Sequence, residues 1–301
     1  MPEGHSIHRL ARQFNDVFSG SVVAVTSPQG RFGSGAALID GASFATARAH
    51  GKQLFLEFNN GLVLRVHLGL YGAWEFGGDE TFRGASSIGA PRRIGERETH
   101  DDGARPAYAG PPPVIGQVRA RFVARHGWAD LRGPSACEVL TTAEAALVRA
   151  RLGPDPLADG APQEGREEFV RRVSGTSTVV ATLLMDQSVV SGIGNIYRAE
   201  CLYRLGLHPR TRGVDLLPGQ AADLWDEVAS AMADGVADGR IVTTAAGDRP
   251  AGNRHRVSGE DAHYVYRRQG LPCRRCGTPV ALESLGGRKL YWCPRCQPAG
   301  I

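Results

Sequence analysis

Ser191-Gly192-Ile193-Gly194-Asn195-Ile196-Tyr197 lies between two apolar stretches of helical spacing, 177–189 and 195–205. Its two glycines permit a tight turn, and Asn195 falls where the second helix begins. Backbone N–H groups at a helix start, helped by the Asn side chain, make an anion site. A plain helix–helix turn capped by Asn accounts for the same residues equally well. The dinucleotide-binding pattern is excluded, because a helical stretch rather than a strand precedes the glycines.

On the C-terminal side a further helix is expected over 218–238, then a polar loop over 247–262. On the N-terminal side a helix is expected over 166–174, and Thr141-Thr142-Ala143-Glu144 reads as a capping start for Ala145–Leu152, stopped by Gly153-Pro154. Helical character is expected from Pro134 onward. Before it the period is two: 21–25, 43–47, 53–58, 62–66, 117–124 and 127–131 read as short strands, with Asn59-Asn60-Gly61 as a hairpin turn. Short strands at that spacing predict an antiparallel sandwich or barrel. An amphipathic helix over 5–18 precedes it, with Ile7, Leu10, Ala11, Phe14, Val17 and Phe18 on one face. The Gly-, Pro- and Arg-rich stretch 77–113 reads as a long loop.

Cys273-x2-Cys276 and Cys293-x2-Cys296 stand 16 residues apart, the spacing of a four-thiolate zinc site. One structural zinc ion is expected. Val280–Ser284 and Lys289–Trp292 can pair between the knuckles, with Gly286-Gly287 at the turn and Arg288 beside the tip. Cys137 and Cys201 lack partners at ligand spacing and read as buried thiols.

The chain has 301 residues, enough for more than one domain, with 42% hydrophobic and 22% charged residues. No apolar run reaches the roughly 18 residues of a membrane span, and no export signal is visible, so a cytoplasmic, reducing location is expected. The net charge of +4 is a mild bias, but 33 of the 35 basic residues are arginine. Lys52 and Lys289 are the two lysines.

The chain opens Met1-Pro2-Glu3-Gly4-His5. Removal of Met1 exposes a secondary amine whose pKa starts about two units below that of a lysine, so it is neutral and nucleophilic at lower cost. Glu3 is a carboxyl beside it, able to act as a general acid if burial raises its pKa, although many chains begin Met-Pro for no catalytic reason.

Six ordered motifs now stand together. They are Pro2-Glu3-Gly4-His5, His50-Gly51-Lys52, His67-Leu68-Gly69-Leu70-Tyr71-Gly72, Leu152-Gly153-Pro154-Asp155-Pro156-Leu157, Asp186 to Tyr197, and the cysteine module with Gly287-Arg288 and Tyr291-Trp292-Cys293-Pro294. Over nearly the whole chain they resemble the formamidopyrimidine-DNA glycosylase and endonuclease VIII family of bifunctional DNA-repair enzymes. The Pro-Glu-Gly-His opening is similar to the endonuclease VIII branch, its actinobacterial members in particular.

The resemblance implies an α+β multidomain fold. An N-terminal antiparallel β-sandwich with flanking helices is expected over 2–133, a helix–two-turn–helix domain over 134–263, and a zinc ribbon over 264–298. It implies Pro2 as the Schiff-base nucleophile and Glu3 as the acid that opens the sugar. Lys52, Asn195 and Arg288 would hold phosphates, with His67 as a further contact, and Leu70 and Tyr71 would wedge into the gap left by an extruded base. Gly69 departs from relatives that carry a bulky polar residue there. The implied activity is a glycosylase and lyase acting on oxidised bases in DNA, pyrimidines favoured, ending in β,δ-elimination. Damaged DNA is the implied partner of a monomer that needs no redox cofactor. Two alternatives remain: a glycosylase of the same fold for oxidised purines, and a silent damaged-DNA-binding protein.

Overall fold

The computed structural model describes residues 2–90, 110–158, 162–249 and 257–299. The chain divides into two compact units, Met1–Arg151 and Leu152–Ile301.

In the first unit, α1 (Gly4–Phe18) buries Ile7, Leu10, Ala11, Phe14 and Phe18, the face given by the helical repeat. It packs against a sandwich of two antiparallel sheets. One has the order β1-β7-β8-β5-β6, made of β1 (Ala24–Thr26), β7 (Ala120–Val123), β8 (Gly127–Arg132), β5 (Ala73–Gly78) and β6 (Ser87–Gly89). The other has the order β2-β3-β4-β9, made of β2 (Phe44–His50), β3 (Gln53–Phe58), β4 (Leu62–His67) and β9 (Ala136–Thr141). Leu54, Leu56, Leu64 and Val66 of one sheet share a core with Trp74, Phe76, Phe122 and Leu131 of the other. Phe14 stands at its centre, edge-on to Trp74 at 4.7 Å and to Phe76 at 5.2 Å between ring centroids.

In the first unit the structure differs from the sequence reading at three places. The boundary expected at 133 meets a unit that runs on to Arg151. Residues 136–141, expected to be helical, form β9 by pairing with β4 from Leu62↔Thr141 to His67↔Ala136. The helix α3 (Thr142–Ala150) follows directly, opened by the expected capping box: Thr141 Oγ1 accepts from Glu144 N, and Glu144 Oε2 accepts from Thr141 N. The expected loop from 77 begins inside β5 and contains β6, which pairs with β5; its residues 91–109 lie outside the described residues. A helix α2 (Gly33–Ile39) occupies a stretch where none was expected.

In the second unit, α4 (Pro162–Ser174), α5 (Val180–Leu183), α6 (Asn195–Arg204) and α7 (Gln220–Asp238) surround an apolar core that includes Phe169, Val190, Ile193, Tyr197, Leu224 and Trp225. The helix expected over 177–189 is a single turn, because side chains divert the backbone after Leu183. Asp186 Oδ1 accepts from Ser188 N and Oγ, and Gln187 accepts from Gly192 N while donating to Met185 O and Ile193 O. Two successive turns result, and residues 153–154 dock on them through Gly153 N to Gln187 O and Ser191 N to Pro154 O. The strands β10 (Ala281–Leu285) and β11 (Arg288–Trp292) form the expected hairpin, closed by Gly286-Gly287 with φ of +59° and +71°. Of the loop expected over 247–262, residues 250–256 lie outside the described residues. Among the described residues no helix is long and apolar enough to cross a membrane.

Candidate functional site

Pro2 and Glu3 are buried at the start of α1, where Glu3 is the N-cap in extended conformation and its carbonyl accepts from Ser6 N at 3.0 Å. Glu3 has no exposed surface. The carboxyl therefore sits at the positive end of the helix dipole, shielded from bulk water. His5, the second residue of α1, is 4% exposed and contacts Ser6 Oγ through Nε2 at 3.2 Å. Burial first, and the nearby Arg9 charge second, lower its pKa to about 3, so the ring is neutral at physiological pH.

Lys52 occupies the two-residue turn between β2 and β3, flanked by the pair His50↔Gln53. Gln53 in turn pairs with His67 at the end of β4, which brings the lysine beside the imidazole. The pKa of His67 is lowered, by burial first and then by the charges of Lys52 and Arg65. Its Nδ1 lies 2.6 Å from Ser135 Oγ, which also donates to the His67 carbonyl at 3.0 Å. Ser135, in the bend just before β9, thus fixes the imidazole.

Leu70 and Tyr71 cap the turn from β4 to β5 and are 50% and 81% exposed, so neither belongs to the core. Gly69 makes that turn possible twice over. Its φ is +66°, and a Cβ there would lie 2.9 Å from the Cβ of Ser135. A bulky residue at 69 would displace the serine that holds His67.

In the second unit Asn195 is the first residue of α6 and is 8% exposed. Its side chain does not cap the helix. It donates through Nδ2 to the Lys289 carbonyl at 2.9 Å and accepts from Arg198 through Oδ1. Asn195 thereby meets the residue next to Arg288, which is exposed at the start of β11. Glu200, fully buried on the same helix, accepts from Thr243 Oγ1 and from the backbone N–H groups of Tyr264, Val265 and Tyr266. It ties the lead-in of the ribbon to α6.

The Sγ atoms of Cys273, Cys276, Cys293 and Cys296 lie within 4.8 Å of one another, with Cys273–Cys296 at 3.8 Å and Cys276–Cys293 at 3.4 Å, near the edge of about 3.8 Å of a tetrahedron built on bonds of about 2.3 Å from zinc to sulfur. All four are free thiols rather than disulfides. Tyr203 OH stands 3.1 Å from Cys273 Sγ, a polar contact to one member of the set. The residues fit a structural zinc ion.

Three profiles match the chain: the formamidopyrimidine-DNA glycosylase N-terminal domain over 1–109, its H2TH domain over 152–246, and the zinc finger found in FPG and IleRS over 270–299. Endonuclease 8 1 of Mycobacterium tuberculosis is 37% identical over 298 residues, spanning 99% of this chain and 100% of its own length. The chain belongs to the formamidopyrimidine-DNA glycosylase and endonuclease VIII family. This is a family of DNA glycosylases with AP-lyase activity that serve base-excision repair. Formamidopyrimidine-DNA glycosylase of Gluconobacter oxydans is 28% identical, spanning 99% of this chain and 100% of its own.

The family fold is recovered against solved structures as well. The Fpg protein of Thermus thermophilus superposes with a TM-score of 0.71 at 23% identity, over 100% of both chains. Lactococcus lactis Fpg, solved with an abasic site containing DNA, gives 0.70 at 18% identity over 98% of this chain and 99% of its own. Of the residues singled out from sequence, the first unit brings Lys52 next to His67, with Leu70 and Tyr71 on the following turn, and places Pro2 and Glu3 together at the start of α1. The second unit brings Asn195 to the strand that carries Arg288 and gathers the cysteine quartet. Ser135, Arg198 and Glu200 were not visible from sequence, because each acts on backbone or side chains far along the chain.

Proposed function

We propose that this family member excises oxidised bases from damaged DNA, pyrimidines favoured, through a Schiff base on Pro2. The observation that carries the reading is the pair at the start of α1: a buried proline at position 2 followed by a carboxyl with no exposed surface. It is supported by similarity over the whole chain to a protein named as an endonuclease 8.

A base in a duplex hides its glycosidic bond, so the nucleotide must first be rotated out, at a cost of a few kcal/mol that is smallest for a damaged base. Leu70 and Tyr71, apolar and exposed, fill the gap. Phosphate contacts from Lys52, His67, Arg288 and the start of α6 offset the cost in a salt-dependent way. The neutral amine of Pro2 then bonds to C1′ while the bond from C1′ to the base breaks, and the base departs with a proton. Glu3 delivers a proton to the ring oxygen, opening the sugar and leaving an iminium between Pro2 and C1′. The iminium acidifies the neighbouring C–H. Loss of that proton expels the 3′ phosphate, and a second elimination expels the 5′ phosphate. Cys273, Cys276, Cys293 and Cys296 would hold a zinc ion that braces the ribbon, and a full set of four thiolates would leave no position for an activated water. The protein acts as a monomer in the cytoplasm and uses no redox cofactor.

The test is borohydride trapping on abasic DNA together with a panel of thymine-glycol, dihydrouracil and oxoguanine duplexes. Retaining Met1 should abolish trapping, and Lys52→Ala should still trap, more slowly. An adduct mapped to Lys52 in the protein that retains Met1 would overturn the assignment of Pro2. Faster release of oxoguanine than of either pyrimidine lesion would overturn the pyrimidine preference, and absence of any adduct would leave a damage-binding protein.

A further inference from the structure

Arg198, in the first turns of α6, is 1% exposed, an expensive place for a guanidinium. Its Nη2 donates to Asn195 Oδ1 and, at 2.9 Å, to the Lys289 carbonyl. Asn195 Nδ2 donates to that same carbonyl, also at 2.9 Å. The three groups close a triangle between the start of α6 and the second residue of β11. Its geometry fixes the carboxamide: Oδ1 must face the guanidinium, and Nδ2 must face the carbonyl.

We propose that Arg198 is a positioning residue, which orients Asn195 and with it latches the ribbon tip so that Arg288 is presented to DNA in one place. The proposal rests on the reading of Arg288 as a phosphate contact. The zinc quartet braces the base of the ribbon, but Arg288 lies five residues before Cys293, about 17 Å along an extended strand. A two-stranded hairpin is marginal on its own, so a brace at one end does not immobilise the other. Glu200 holds the lead-in at 264–266, again away from the tip. Leu285 and Leu290 also pack the hairpin on the helical core, and among the described residues the Arg198 triangle adds the side-chain hydrogen bonds that hold the residue next to Arg288. Arginine suits the task because the two hydrogens of Nη2 lie in the guanidinium plane and point in fixed directions, one to each acceptor; an ammonium on a flexible stem does not hold both in a fixed geometry. A buried ion contributes little net stability, so the arrangement reads as one that sets orientation.

Because both ends of the Asn195 side chain are engaged in this triangle, Asn195 acts on DNA through the ribbon tip and through the helix start that its backbone opens.

The experiment is a double-mutant cycle on equilibrium binding of the intact, zinc-loaded protein to a duplex carrying an abasic-site analogue, read across a salt series. Arg288→Ala should weaken binding about ten- to a hundredfold and reduce the salt slope by about one. Arg198→Met should weaken it by a similar factor with the same loss of slope. The double variant should bind like Arg288→Ala alone, since the latch has nothing left to position. Zinc content is measured for each. If Arg198→Met loses zinc or fails to fold, Arg198→Lys is put through the same cycle and should lie between wild type and Arg288→Ala. Losses that add, or an Arg198 variant that binds like wild type while Arg288→Ala is impaired, overturn the latch. An Arg288→Ala protein that binds normally at every salt concentration overturns the phosphate reading itself.

Discussion

His5 ties folding stability to pH at the helix that carries Pro2 and Glu3. The imidazole is 4% exposed in the folded protein, and its pKa falls from 6.5 to about 3. The unfolded chain accepts a proton near pH 6.5 and the folded chain refuses it, so folding is favoured fully above that pH. Stability is then lost progressively as pH falls toward 3. With 1.36 kcal/mol for each pKa unit, this one group removes about 2 kcal/mol between about pH 8 and pH 5. At the acid limit the loss approaches about 5 kcal/mol. Replacing His5 with Gln keeps a neutral polar side chain and removes the titration. Urea unfolding of the intact protein at several pH values should show a steeper acid decline for wild type than for His5→Gln, by about 2 kcal/mol at pH 5. Imidazole NMR supplies the direct reading, with a ring that stays neutral from about pH 8 down to pH 5. A His5 ring that titrates near 6.5 in the folded protein, or stability curves that run parallel for the two proteins, would refute the reasoning.

Arg288→Ala should cost about 1.5–3 kcal/mol of damaged-DNA binding at low salt, the range of a hydrogen bond to a charged group, with a shallower salt slope by titration. Cys276→Ser should release zinc and loosen the ribbon, since metal binding and folding are coupled in such modules; elemental analysis and protease sensitivity of 264–299 report both. Phe14→Ala should destabilise the first unit by about 3–5 kcal/mol, because it empties the centre of the aromatic cluster, as measured by thermal unfolding. Gly69→Ala should cost at least about 1–2 kcal/mol through the left-handed φ alone, and by pushing Ser135 away should weaken DNA binding as well.

What could be read in advance shares one physical character: the cause lies within a few residues of the effect. The capping box at Thr141–Glu144 is a bond across three positions, and the face of α1 is a repeat within one helix. The hairpin at Gly286-Gly287 is a two-residue turn, and each cysteine pair makes its own knuckle. The family motifs are legible for the same reason, as short runs around single side chains.

What only the tertiary structure decided depends on partners distant in the chain. Residues 136–141 carry no strong strand pattern and become β9 because β4 offers them an edge. The expected helix at 177–189 stops after one turn because Asp186 and Gln187 spend their side chains on backbone groups, a choice the apolar spacing does not record. Ser135 reaches His67 across 68 positions, and Asn195 reaches Lys289 across 94. Asn195 itself shows the division. Its place at the start of a helix is written in the local sequence. That its amide is held by a buried arginine and spent on the ribbon follows from packing, because a hydrogen bond is set by distance and angle in space and not by separation along the chain.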